Sequence, residues 1–195
     1  VNAELPDSLL AALDALIASL READVGVIII GGVAASVLGR PRLTRDIDAL
    51  ADIPDDEWSR VVDTAAAFGI KPRIGDALDF AARSRVLLLR HQASRIDIDL
   101  IVATLPFERD AVAAGQSRSL GSIEIRLPQV EDLLIMKAIA HRPRDLLDIE
   151  GLLQTHPAVD LAKARRWIRE FAVASTQPEL IADFDRLVAT VRQRD

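Results

Sequence analysis

The chain has 195 residues, about the length of one domain or of a domain with a small appendage. Half of it is hydrophobic and 28% is charged, enough for a packed core and too well mixed for a disordered chain. The absence of cysteine excludes disulfide scaffolds, thiolate zinc sites and cysteine nucleophiles, and the net charge of −6 argues against a strongly basic nucleic-acid binder. No apolar run approaches the ~20 residues that span a bilayer. Val1-Asn2-Ala3-Glu4 lacks the basic-then-apolar profile of a signal peptide, so a cytoplasmic location is expected. Among the basic residues 21 are arginine and three are lysine, namely Lys71, Lys137 and Lys163.

In chain order, apolar residues at Leu9, Leu10, Leu13, Ile17 and Leu20 predict a helix over Asp7–Ala23, with Asp7 placed as its N-cap. The β-branched run Val25–Ile30 reads as a buried strand closed by Gly31-Gly32. A short helix, Val33–Leu38, should follow and stop at Gly39. Asp46–Leu50 reads as a second strand, and Pro54 opens a helix to Phe68 with Gly69 behind it. Arg85–His91 and Arg95–Ala103, joined by Gln92-Ala93-Ser94, read as an antiparallel hairpin. Pro106–Ala114 is expected as a short helix and Ile123–Leu127 as a strand.

From Pro128 onward the pattern is helical: Gln129–Ala140, Pro143–Gln154, Asp160–Val173 and Pro178–Arg192. Strands in the first two-thirds and helices in the last third predict an α+β fold with a C-terminal helical cap. The expected division is a core over residues 1–127 and a helical region over 128–195 packed on it.

Asp46-Ile47-Asp48 is the first chemically suggestive feature. Residues i and i+2 of a strand share a face, so both acids point one way, with Cα atoms about 6–7 Å apart. The pattern returns in Asp97-Ile98-Asp99, with Ile96, Ile98 and Leu100 on the opposite face. A lone Asp-x-Asp reads as a solvated strand face. Its recurrence on two strands, after a Gly-Gly turn, reads as an oxygen-ligand metal site.

Gly31-Gly32 is either a tight strand-to-helix turn or a phosphate cradle at a helix N-terminus. Ser36, a turn later, is either a further hydroxyl donor or a surface serine. Arg40, Arg42 and Arg45 precede the Asp46 strand, where they either balance its charge or hold phosphates bidentately. Thr44 stands two residues before Asp46 and is placed to orient the loop or the carboxylate.

On the Gln129–Ala140 helix, Val130, Leu133, Leu134 and Lys137 follow the apolar period, so a lysine stands where the core is expected. It either snorkels to solvent or reaches an anion. Asp145 and Asp148 begin the next helix, where Asp145 reads as a dipole or capping residue. Asp148 is the better functional candidate, positioning Lys137 or Arg144. His141 is read as a solvated helix end, and His91 and His156 as structural.

Taken together, these residues resemble the nucleotidyltransferase superfamily that includes DNA polymerase β, the minimal nucleotidyltransferases and bacterial toxin nucleotidyltransferases. The resemblance rests on Gly31-Gly32, the short helix, Arg42-Leu43-Thr44-Arg45-Asp46-Ile47-Asp48, and a later strand acid. Glu131–Lys137 and Arg142–Asp148 are similar to the AbiEii-type toxin branch. Many relatives carry serine after the first glycine, whereas Gly32 brings no hydroxyl here.

The resemblance implies a nucleotidyltransferase fold, a mixed β-sheet flanked by helices. It also implies Mg²⁺-dependent (Mn²⁺ as a substitute) transfer of a nucleoside monophosphate from an NTP, through a two-metal site. Asp46, Asp48 and Asp99 would hold metal, with Asp97 the other candidate for the third acid. Gly31, Gly32, Ser36, Arg42, Thr44, Arg45, Lys137 and Asp148 would serve the nucleotide, Lys137 by reaching the triphosphate. The expected acceptor is RNA such as tRNA, or protein, and the expected partner is an antitoxin protein. A small antibiotic-type acceptor is the enzymatic alternative, and a catalytically silent nucleotide-binding or interaction module is the alternative of another class.

Overall fold

The computed structural model describes residues 5–193, so the Val1–Glu4 segment lies outside the described residues. Helix α1 (Asp7–Glu22) buries Leu9, Leu13, Leu16 and Leu20 at helical spacing. Pro6, not Asp7, sits at its N-cap, and no side chain caps that end. The carbonyl of Pro6 accepts from the Leu9 and Leu10 N–H groups, which starts the helix one residue earlier than a capping aspartate would.

Strand β1 (Gly26–Ile29) leads into α2 (Gly31–Leu38). The helix thus begins two residues before the expected Val33, because Gly31 adopts φ +60° and turns the chain at once. Strand β2 (Asp46–Asp52) follows, then a 3-10 turn over Asp55–Glu57 and helix α3 (Trp58–Ala67). Gly69 has φ +72° just past that helix.

Two short elements come next, β3 (Ile70–Pro72) and α4 (Ala77–Ser84). Strands β4 (Val86–His91) and β5 (Ile96–Val102) form the antiparallel hairpin. Its loop includes Arg95 at φ 59°, which shortens the second strand by one residue at its start. Helix α5 (Pro106–Ala113) precedes a hairpin of β6 (Gln116–Leu120) and β7 (Ile123–Leu127). Helices α6 (Val130–Ala140), α7 (Pro143–Thr155), α8 (Leu161–Ser175) and α9 (Glu179–Arg192) complete the chain.

The chain divides into two compact units. The first holds residues up to Val33 together with Leu43–Pro128. Its five-stranded sheet runs in the order β1-β2-β5-β4-β3, with β2 and β5 parallel and every other pair antiparallel. Helices α1 and α5 lie against its strands, so the fold is α+β around a mixed sheet. Ile47, Ala49 and Ala51 on β2 and Ile98, Leu100 and Val102 on β5 are buried on one face.

The second unit holds Ala34–Arg42 and the residues from Gln129 onward. Here α6 packs on α7 and α8, and α9 packs on α7 and α8. Leu133, Leu134, Ile149, Leu152, Ile168, Phe184 and Val188 form its apolar centre. No helix among the described residues is long and apolar enough to cross a membrane.

Candidate active site

Parallel pairing of β2 with β5 sets Asp46 opposite Asp97 and Asp48 opposite Asp99. Each pair of i and i+2 acids already shares a strand face, so the register gathers all four carboxylates on one side of the sheet. The intervening Ile47 and Ile98 are fully buried on the other side. The isoleucines fix which way the strands face, and the acids follow.

Gly31 closes one end of this cluster. A Cβ added there would meet Asp48 Oδ2 at 1.9 Å, so the backbone lies directly against the Asp48 carboxylate. The Ile30 N–H donates to the Asp48 carbonyl at 2.9 Å, which binds the turn to β2. Thr44, buried, donates from Oγ1 to Asp46 Oδ1 at 3.1 Å. Asp46 itself is exposed and Asp48 half-buried. Arg45, between Thr44 and Asp46, is exposed.

The β5 acids are held by arginines. Arg90 on β4 donates from Nε to Asp97 Oδ1 at 2.6 Å, and Arg73 donates from Nη1 to Asp97 Oδ2 at 3.0 Å. Arg73 also donates from Nη2 to Asp99 Oδ1. The Arg90 hydrogen bond holds the Asp97 carboxyl below its usual range, with the Arg73 and Arg90 charges helping against desolvation. Burial pushes the Asp99 carboxyl up, and the charges of Asp46 and Asp97 add to this beyond what Arg73 offsets. Two acids on one strand are therefore made unlike by their surroundings. Arg73 had no place in the sequence reading, because no local pattern links it to acids 24 and 26 residues away.

The donor set is one of hard oxygens, which suits a hard divalent cation. Among the described residues, no group of three or more acid or histidine side chains is gathered closely enough to hold one as it stands. Asp97 and Asp99 are turned to Arg73, and that is where the set stays open.

The second unit contains its own ionic cluster. Lys137 is 4% exposed, which rules out snorkelling. Its Nζ lies 2.8 Å from Asp145 Oδ1 and 2.8 Å from Asp148 Oδ2. Asp148 also accepts a fork from Arg42, at 2.7 Å from Nε and 2.9 Å from Nη2. Arg142 donates from Nε to Asp145 Oδ2 at 2.7 Å. Burial alone would raise the Asp145 carboxyl, but hydrogen bonds from Arg142 and Lys137 outweigh it and hold it below the usual range.

Ser36 donates to the Arg42 carbonyl at 3.0 Å, and Arg40 lays its methylenes over Gly151. The histidines take structural places. His141 pairs with Asp183 at 3.0 Å, His91 with Ser94 at 2.8 Å, and His156 with the Leu38 carbonyl at 2.6 Å.

Residues 12–194 match the family described as Nucleotidyl transferase AbiEii toxin, Type IV TA system. The chain belongs to this AbiEii family. It therefore stands in the nucleotidyltransferase superfamily of the DNA polymerase β-like fold, with nucleotidyltransferase character. No curated protein matches the chain in sequence.

Solved structures share the AbiEii-family chain's fold. The solution structure of the antibiotic-resistance factor ANT(2'')-Ia is 14% identical with a TM-score of 0.58, over 89% of this chain and 97% of that one. An antigenic nucleotidyltransferase-like protein from Paracoccidioides brasiliensis is 14% identical with a TM-score of 0.54, over 93% and 94%. The lincosamide antibiotic adenylyltransferase LnuA, bound to lincomycin, is 17% identical with a TM-score of 0.51, over 76% and 96%. At such identities the likeness carries the fold, and function has to be argued from residues.

Proposed function

We propose that this AbiEii-family chain transfers a nucleoside monophosphate from an NTP to a hydroxyl of RNA such as tRNA, or of protein, as the toxin of a toxin–antitoxin pair. The observation that carries the reading is the register of Asp46 and Asp48 with Asp97 and Asp99, closed at one end by Gly31. Sheet packing has no use for four acids on one face, since like charges side by side repel. A reaction on a polyphosphate with divalent cations does.

Asp46, Asp48 and Asp99 would hold the cations, Mg²⁺ or Mn²⁺. Asp99 is preferred over Asp97 because Asp97 is doubly engaged by Arg90 and Arg73. When bound, two such ions supply charge neutralisation at the attacking and leaving oxygens. Thr44 fixes the Asp46 carboxylate by its hydroxyl, and Gly31 lets the backbone approach Asp48. The backbone turn that opens α2 at Gly31 and Gly32 would lie against the triphosphate. Arg45, which is exposed, would add charge there.

The acceptor hydroxyl oxygen bonds to the α-phosphorus as the bond from that phosphorus to the bridging oxygen of the β-phosphate breaks. Pyrophosphate leaves, and the hydroxyl proton passes to Asp99.

Lys137 has two readings. Contact with the triphosphate requires it to leave Asp145 and Asp148. The geometry favours the other, a buried ammonium that organises both acids, with Asp148 in turn fixing Arg42 and Ser36 fixing its carbonyl.

Incubation with labelled NTPs, Mg²⁺ and separate pools of total tRNA, protein and hydroxylated antibiotics tests the acceptor. Label is expected on tRNA or protein. Label on antibiotics alone would overturn the toxin reading in favour of small-molecule transfer, and no label on any pool would favour a silent module.

A further inference from the structure

Arg73 sits in the bend between β3 and α4, with its N–H donating to the Leu88 carbonyl on β4 at 2.9 Å. From there its side chain reaches two strands across the sheet, past β4 to β5. Its two terminal nitrogens go to different acids, Nη1 to Asp97 and Nη2 to Asp99. The Nε is buried and has no hydrogen-bond partner among the described residues. A buried donor without an acceptor costs desolvation energy. Nothing in the packing around Nε calls for this placement, so the two carboxylates must be what holds the guanidinium there.

The two acids depend on Arg73 unequally. Asp97 keeps Arg90 at 2.6 Å if Arg73 departs. Asp99 has its ion pair with Arg73 and no other among the described residues. Withdrawal of this one side chain would therefore release Asp99 while leaving Asp97 neutralised. The Arg73 backbone stays tied to Leu88, so it is the side chain that would withdraw, toward a bend exposed at Gly75 and Asp76.

We propose that Arg73 is a positioning residue that neutralises Asp99 before metal arrives, and that a divalent cation must displace its guanidinium to use that carboxylate. The inference rests on the nucleotidyltransferase reading and deepens it. Metal entry becomes an exchange of one cation for another, and Arg73 sets the metal concentration at which the acid face is complete.

Mn²⁺ binding without nucleotide, followed by the loss of the free-ion EPR signal, tests this on the full chain. Arg73→Gln should bind Mn²⁺ about tenfold more tightly than wild type, the scale of one charge-assisted hydrogen bond removed from competition. Arg90→Gln removes the same charge from Asp97 without touching Asp99, and should change the affinity by about twofold or less, as a screened surface charge does. Equal or weaker binding by Arg73→Gln, or an equal gain in Arg90→Gln, overturns the proposal while the metal reading stands. No Mn²⁺ bound by wild type or variants overturns the metal reading and this inference with it.

Should Arg73→Gln fail to fold, wild type alone decides. Phenylglyoxal modification of Arg73, mapped by peptide mass, should rise several-fold when Mg²⁺ is added. Unchanged or reduced modification overturns the displacement.

Discussion

Two clusters of charge in this chain balance in opposite directions. On β2, β4 and β5 and the bend after β3, four carboxylates (Asp46, Asp48, Asp97, Asp99) meet two guanidiniums, those of Arg73 and Arg90. In the helical unit, two carboxylates (Asp145, Asp148) meet three cations, Lys137, Arg42 and Arg142. The first cluster is open to solvent at Asp46, and two arginines pair with its β5 acids. The second buries Lys137 and both acids and has no negative charge to spare. Four carboxylates in register on an accessible strand face are what a cation-assisted reaction uses. A buried and compensated set serves geometry, since removing either partner strands a charge in low dielectric.

The sharpest way to break this comparison is at the acid pair. Asp46→Asn and Asp48→Asn should each lower transfer about a thousandfold or more while the thermal melt stays near wild type, because each removes several kcal/mol of transition-state stabilisation. Retained activity in both would remove the metal assignment.

Lys137→Ala should act the other way round, with about 3–5 kcal/mol lost in denaturant unfolding. If stability is instead unmoved and NTP affinity falls, Lys137 is a triphosphate contact and the helical cluster belongs to the chemistry.

Gly31→Ala comes next. Its Cβ would collide with the Asp48 carboxylate and occupy a φ of +60°, which costs about 1 kcal/mol in backbone alone. Loss of activity well beyond that modest loss of stability is expected from paired melts and rates.

The helical cluster also predicts a pH dependence. The Asp145 carboxyl lies below its usual range in the folded protein, so its stabilisation is fully present above the unfolded value of about 4. It is lost as pH falls through the folded value. Asp145→Asn should be less stable at neutral pH and should show a flatter acid limb in unfolding titrations. A wild-type acid limb that matches the variant's would contradict the role of the carboxylate. The smallest effect is expected at Arg90→Ala, where an exposed pair is removed and the melt should hardly move.

What could be read from the sequence follows physical locality. The i, i+2 rule puts Asp46 with Asp48 and Asp97 with Asp99 from sequence alone, and the isoleucines between them tell which face is core. The helical period located α7 to α9, because each has an apolar stripe to bury, whereas α6 is apolar and buried on several sides. Strand β6 escaped notice since Gln116–Ser119 are all exposed and show no alternation. The stretch of β3 and α4 escaped too, being short and broken by Pro72 and Gly75.

Arg73 is the more instructive omission, because its meaning lies in a sheet order that places β4 between it and its partners. Asp145 shows the same limit. Its position at the start of α7 invited a helix-dipole reading, and the N–H of Arg142 does reach it at 3.3 Å. Its main partners, however, are the side chains of Lys137 and Arg142, and the first of these sits on another helix. The excursion of Ala34–Arg42 into the helical unit likewise depends on an ion pair between residues 106 apart.

The central claim is that the acid face moves a nucleoside monophosphate, and the fate of the label tests it most directly. With Mg²⁺ and acceptor, α-labelled NTP should mark the product and γ-labelled NTP should mark only released pyrophosphate, with both signals lost in Asp48→Asn. Transfer of the γ-label to the acceptor, or α-label incorporation that survives in folded Asp48→Asn, would contradict the account.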